Sequence, residues 1–226
     1  TDGTSKLSNV ASVTVPTPPP PPSPVPEQVV VAGFDCSTYP SLIQVIGTTG
    51  VGHSVKQLDL ATGGYSEIFS IRFDRTPSYT HLNAIGINPV DGALYGIMRV
   101  QGFGYLVRFD DQEVAFLAKV PHSPAGTVDD DGSFLWATSD GLYRIEDVQS
   151  RPGFGNRGAA TDLSAISPMI GVAADTWDLA AVRVDLGDGE APYAMGFTGS
   201  RQLRIYRYDD SPGSWLLAAT TADGSN

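Results

Sequence analysis

Along most of the chain, apolar residues come in short runs broken by Gly, Asp and Asn, with β-branched and aromatic residues inside the runs. That texture begins at Gln28 and predicts short strands joined by tight turns, an all-β fold. No apolar pattern of helical period lasts longer than about two turns. Residues 173–181 are the best helical candidate.

The runs repeat in an order. Asp91-Gly92-Ala93-Leu94-Tyr95-Gly96 returns as Asp131-Gly132-Ser133-Phe134-Leu135-Trp136-Ala137, and again as Asp188-Gly189-Glu190-Ala191-Pro192-Tyr193-Ala194. Each copy is an acidic turn leading into a strand that carries an aromatic and then a small residue. A second element follows each: Leu106-Val107-Arg108-Phe109-Asp110, Leu142-Tyr143-Arg144-Ile145-Glu146 and Ile205-Tyr206-Arg207-Tyr208-Asp209. An earlier, degenerate copy runs through residues 42–45 and 55–59. Third apolar runs lie at 65–73, 113–120 and 215–220. Strand, turn and strand recurring at a period of roughly 40–57 residues is the cadence of propeller blades, which bury their faces only by stacking on one another. A plain meander or sandwich shares the alternation but not the ordered return of two different motifs. On this reading Gly96, Ala137 and Ala194 belong to inner strands where space is short, and the recurrent arginines belong to solvent-facing blade edges.

The stretch Leu82-Asn83-Ala84-Ile85-Gly86-Ile87-Asn88-Pro89-Val90-Asp91-Gly92-Ala93-Leu94-Tyr95-Gly96, with Ala125-Gly126-Thr127-Val128-Asp129-Asp130-Asp131-Gly132 and Gly141-Leu142-Tyr143-Arg144-Ile145 after it, resembles a propeller-like domain of large secreted bacterial and algal surface proteins. The resemblance spans about residues 40–210. It implies a β-propeller-like fold and a surface location, and no chemistry, because that family is of unknown function. Two features depart from the pattern. Residues 151–158 insert a Gly/Arg-rich loop, and Asp223-Gly224 is where a further unit would begin beyond the four visible ones.

Ahead of the repeats, two segments differ in texture. Residues 1–15 hold an Asp-Gly turn and an alternating run through Val13 and Val15, similar to the last strand of an immunoglobulin-like repeat; a Ser/Thr-rich leader is the plainer reading. Residues 16–27 are proline-rich. Proline fixes φ and has no N–H to give, so this segment is polyproline II or coil, a semi-rigid spacer of roughly 30 Å. Pro18, Pro19, Pro20, Pro21, Pro22, Ser23 and Pro24 also resemble the tracts of algal and plant wall glycoproteins, in which prolines are hydroxylated and glycosylated. Residues 28–226 form the propeller-like domain. Ordering such an arm costs backbone entropy of roughly 1–2 kcal/mol per residue. The arm has little apolar area, so neighbouring copies of the chain, other filament proteins or attached glycans are its expected partners.

Composition narrows the function classes. The 226 residues carry 14 Lys and Arg against 25 Asp and Glu, a net charge of −11, the wrong sign for holding nucleic acid through its phosphates. No apolar stretch is long enough for a membrane-spanning helix. One cysteine and three histidines exclude a disulfide framework and a zinc ribbon. No nucleophile elbow, Walker loop, dinucleotide fingerprint or N-glycosylation sequon is present.

The remaining candidates are weak. Asp129, Asp130 and Asp131 form the densest acidic cluster, and Asp129 and Asp131 are the Ca²⁺ candidates; contiguous acids lack the alternation that wraps an ion, so a solvated hairpin is the plainer reading. His53, His81 and His122 are each expected in a separate loop. Cys36 follows Asp35 without a local histidine to activate it. The pairs Asp110/Asp111 and Asp209/Asp210 suggest two-carboxylate chemistry, but they follow the repeat, as structural turn residues do. No catalytic or cofactor-binding set is expected. The sequence therefore points to a non-catalytic structural or adhesion module of a secreted or cell-surface protein. The alternatives are a propeller hydrolase or lactonase using loop carboxylates with Ca²⁺, and a carbohydrate-binding propeller with Trp136, Trp177 or Trp215 flat on one face.

Overall fold

The computed structural model describes residues 24–48, 52–71, 79–168, 176–185, 190–198, 202–209 and 214–220. The immunoglobulin-like end and the proline tract through Ser23 lie outside the described residues; Pro24 is exposed. The strands fall into four sheets. The first holds β1 (Ile43–Thr48), β2 (Gly52–Leu58) and β3 (Tyr65–Ile71). The second holds β4 (Tyr79–Ile87), β5 (Leu94–Val100), β6 (Phe103–Phe109) and β7 (Val114–Val120), with β11 (Thr161–Asp162) added in parallel beside β7. The third holds β8 (Ala125–Val128), β9 (Phe134–Thr138) and β10 (Gly141–Ile145); the fourth holds β12 (Thr176–Asp185), β13 (Glu190–Thr198), β14 (Leu203–Asp209) and β15 (Ser214–Thr220). Consecutive strands within each sheet pair antiparallel. Short 3-10 turns at Val148–Ser150 and Arg157–Ala159 are the helical elements among the described residues. The helical expectation for 173–181 is thus corrected: its described part lies in β12, which pairs with β13 as far as Asp185.

Alternation explains why the strands read as nearly continuous apolar runs. Successive side chains point to opposite faces of a sheet. Here both faces of the middle sheets are covered. On β9, Phe134 and Trp136 join Tyr95, Ile97 and Leu106 in a core between the second and third sheets. Their neighbours Leu135 and Ala137 join Leu179, Ala194 and Tyr206 in a core between the third and fourth. A further core sets Val55 and Ile71 of the first sheet against Leu82, Met98 and Phe109 of the second. The leading strands touch in sequence, β1 against β4, β4 against β8 and β8 against β12. The chain is therefore an all-β, propeller-like repeat of four sheets.

The register confirms the repeat and corrects two of its details. Tyr95 sits opposite Arg108, Leu135 opposite Arg144 and Tyr193 opposite Arg207. However, Gly96, Ala137 and Ala194 are on the second strand of their sheets rather than the innermost. The tight approach between leading strands is made by Gly86 and Gly126. A Cβ on Gly86 would stand 2.5 Å from the Val128 nitrogen, and one on Gly126 would stand 2.7 Å from the Ala84 Cβ. The arginines, in turn, are folded in between elements: the Arg108 and Arg144 side chains are only 15% and 9% exposed.

The insertion at 151–158 has a structural task. Phe154 bridges to Phe116 of β7 on one side and to Gln28 on the other, so it joins the entering chain to the outer edge of the second sheet. The Val29 N–H donates to the Gly153 carbonyl, the Ala32 N–H to Asp110 Oδ2 and the Phe34 N–H to the Gly92 carbonyl. An exposed sheet edge invites pairing with another chain, and this strap covers one.

Candidate functional site

The leading strands surround a cavity of about 720 Å³. Its wall is mostly backbone and aliphatic side chains, among them Leu42, Ile43, Val45, Leu82, Ile85 and Leu179. Polar residues line it from three sheets: Ser41, Gln44 and Tyr65 on the side of the first sheet, Asn83 of β4 and Asp178 of β12. Asp178 Oδ1 also accepts the Leu179 N–H at 2.9 Å. Beside Asn83, Ala84 takes a left-handed φ of 56° at a β-bulge opposite β5. Such a backbone costs on the order of 1–3 kcal/mol and is held by its surroundings; here the Ala84 side chain lies against Gly126 of the next sheet.

The recurrent charges close joints. In the second sheet, Tyr95 donates to Asp91 Oδ2 at 2.6 Å and Arg108 lies 3.6 Å from the same oxygen. Burial, and then the hydrogen bond to Asp91, push Tyr95 up from its ordinary range. In the third sheet, Arg144 meets Asp131 Oδ2 at 2.7 Å, Asp129 Oδ2 at 3.7 Å and Glu146 at 3.2 Å. The fourth sheet completes this joint. Arg183 of β12 reaches Asp130 at 3.2 Å, and Tyr208 of β14 stacks its ring under the Arg144 guanidinium.

Asp129 is 3% exposed, and burial together with its hydrogen bond to Asp131 pushes it up to about 7. Its Oδ2 has no donor when ionised; a proton there lets it donate to Asp131. For Asp131, burial is outweighed by the bonds from Asp129 and Ser133 and by Arg144, which leave it at about 2. The two Ca²⁺ candidates do face one another, but Arg144 already supplies positive charge to them. The solvated-hairpin reading of Asp129 is corrected by its burial.

The histidines come together. His53 lies in β2, His81 in β4 and His122 just beyond β7, so two of the three are in strands rather than in loops. The His81 and His122 rings meet edge-on with centroids 6.5 Å apart, and His81 pairs across the ladder with Arg99. His53 Nε2 accepts the Leu82 N–H at 3.3 Å. Burial and then the charge of His81 push His53 down; burial, Arg99 and His81 do the same to His122. Among the described residues, no group of three His, Cys, Asp or Glu side chains has a metal-holding arrangement.

The other candidates fall into structural places. Asp110 caps its own turn through the Gln112 and Glu113 N–H groups, and Asp111 bonds to Gln112. The Asp209 side chain and Asp210 lie outside the described residues. Asp35 organises a turn with Ser37 and Thr38, whose hydrogen bonds hold it at about 2, and leaves Cys36 free and exposed. Trp136 is fully buried and stacks on Tyr143 at 5.0 Å, which removes it from the proposed sugar platform. The side chains of Trp177 and Trp215 lie outside the described residues. Sequence reasoning passed over Asp178 and Arg183, because nothing in the repeat marks them; Gln44 and Asn83 stood inside quoted motifs but carried no sign of a cavity.

No family model and no curated protein matches the chain. Among solved structures, a gluconolactonase from Xanthomonas campestris is similar at 13% identity and a TM-score of 0.37. The match covers 71% of this chain and 43% of the gluconolactonase chain. A likeness of that size carries no argument about chemistry. No helix among the described residues is long and apolar enough to cross a membrane.

Proposed function

We propose that the chain is a non-catalytic recognition and structural module of an extracellular surface protein, a propeller-like head carried on a proline-rich arm. The supporting observation is how the molecule uses its recurrent charges. Asp91, Asp129, Asp130 and Asp131 are held by Arg108, Arg144 and Arg183 in joints of the scaffold. The axial cavity is left with a mixed wall of backbone and aliphatic side chains together with Ser41, Gln44, Tyr65, Asn83 and Asp178, and its volume falls within the range of small-molecule sites. A sugar-sized, largely uncharged group suits that lining. Neighbouring copies or other filament proteins, with glycans on the proline tract, are the partners this reading gives the arm.

A lactone hydrolase working with Ca²⁺ is the second reading. It is favoured by one observation, the convergence of Gln44, Asn83 and Asp178 from three sheets on one cavity. A single assay separates the two. Under the first reading, gluconolactone opens at the buffer rate with or without Ca²⁺, while immobilised cell-wall polysaccharide or a second copy retains the chain. A Ca²⁺-dependent acceleration that Asp178→Asn abolishes replaces the first reading with the second.

A further inference from the structure

All three histidines of the sequence, far apart along the chain, meet where the first sheet joins the second. One of them makes the connection itself. His53 belongs to β2, and its Nε2 accepts the backbone N–H of Leu82, a fully buried residue of β4 that also lines the axial cavity. An imidazole nitrogen that accepts carries no proton, so the bond exists only with neutral His53. Protonation at Nε2 would turn an N–H toward an N–H. The ring lies over Gly47, its partner in β1: a Cβ there would stand 2.8 Å from Nε2, so only glycine leaves the ring in place.

Burial and His81 both work against a charge on His53. Among the described residues, those facing the cluster are His81 from β4, Arg99 from β5 and His122 from the β7–β8 connection. The His122 Nε2 is itself buried without a hydrogen-bond partner.

We propose that the His53–Leu82 contact is an acid-sensitive latch: protonation of His53 releases the first sheet from β4 and widens the axial cavity on that side. The lowered proton affinity of His53 and His122 agrees with it, because the folded junction excludes the proton that acid supplies. The latch is independent of what the cavity holds. It stands or falls as a conformational event even if no ligand is found there.

Amide hydrogen exchange at Leu82, corrected for the intrinsic rate, tests it on the whole chain between about pH 7.5 and about pH 5. Protection is expected to fall by up to about tenfold per pH unit once His53 titrates, while Ile97 in β5 keeps its protection. In His53→Gln the amide oxygen can accept from Leu82 but does not titrate, so the pH dependence disappears. Unchanged protection of Leu82 in the unmodified chain overturns the proposal. An equal loss in His53→Gln also overturns it, because another group is then responsible. Should the variant fail to fold, the imidazole ¹⁵N shift of His53 in the unmodified chain supplies a second reading: its midpoint must coincide with that of Leu82 exchange, and separate midpoints overturn the latch.

Discussion

The joint between the first and second sheets and the joint between the third and fourth sheets sit in the same architecture but use opposite chemistry. The first relies on a neutral imidazole accepting one backbone N–H, with His81 beside it and Arg99 near His122. The second relies on Arg144 and Arg183 holding three consecutive aspartates, with Tyr208 beneath the Arg144 guanidinium. Apolar packing is common to both, so packing defines the fold and the polar groups define how each joint answers its surroundings.

Acid separates them in sign. His53 and His122 bind protons less readily folded than unfolded, so their contribution is complete above their ordinary value of 6.5 and is lost as pH falls through the lowered folded values. Asp129 is raised from 3.8 to about 7, so its contribution is complete below 3.8 and is lost as pH rises through about 7. Mild acid therefore loosens one end of the repeat and tightens the other.

The largest way to break the comparison is Arg144→Ala, which leaves Asp129 and Asp131 without their shared cation. A loss of about 3–5 kcal/mol in urea unfolding is expected, the range for breaking a buried pair. A loss below about 1 kcal/mol would show the joint to be held by packing alone. Asp129→Asn copies the protonated state and keeps an acceptor for the Ser133 N–H. It should gain about 1–2 kcal/mol at about pH 8 and flatten the stability profile between about pH 4 and about pH 7. A profile as steep as that of the unmodified chain assigns the slope elsewhere. Gly47→Ala pushes the His53 ring off Leu82 at every pH, with an expected cost of about 1 kcal/mol, the worth of one hydrogen bond. Its Leu82 exchange at neutral pH should match that of the acid form. The smallest effect belongs to Asp162→Asn, which removes the exposed pair with Lys119 at 3.4 Å. Thermal unfolding should register less than about 0.5 kcal/mol, at either pH.

Much of the architecture was readable from local pattern because it depends on local pattern. Turn-and-strand motifs alone place Arg108, Arg144 and Arg207 at the matching register positions that the sheets show. What those arginines do was not readable, since their partners depend on how one sheet lies against the next. Arg144 reads as an edge charge in sequence and is nine-tenths covered in the fold. The histidine cluster escaped for the same reason: no short spacing marks residues that meet across sheets. Of the polar residues lining the cavity, Asp178 belongs to no repeated motif, and Gln44 sits in the degenerate copy where nothing distinguishes a lining position from any other strand position. The insertion at 151–158 was visible as a break in the pattern, but its pairing with Gln28 and Phe116 joins segments far apart in sequence.

The strap made by Phe154 also sets a load path. Tension drawn along the proline-rich arm arrives first at Gln28 and Val29, which are fastened to the insertion on the outer edge of the second sheet. The first sheet comes later in the chain and stays slack until that fastening peels. A pulling experiment on the arm should therefore show the strap yielding before the first sheet unravels.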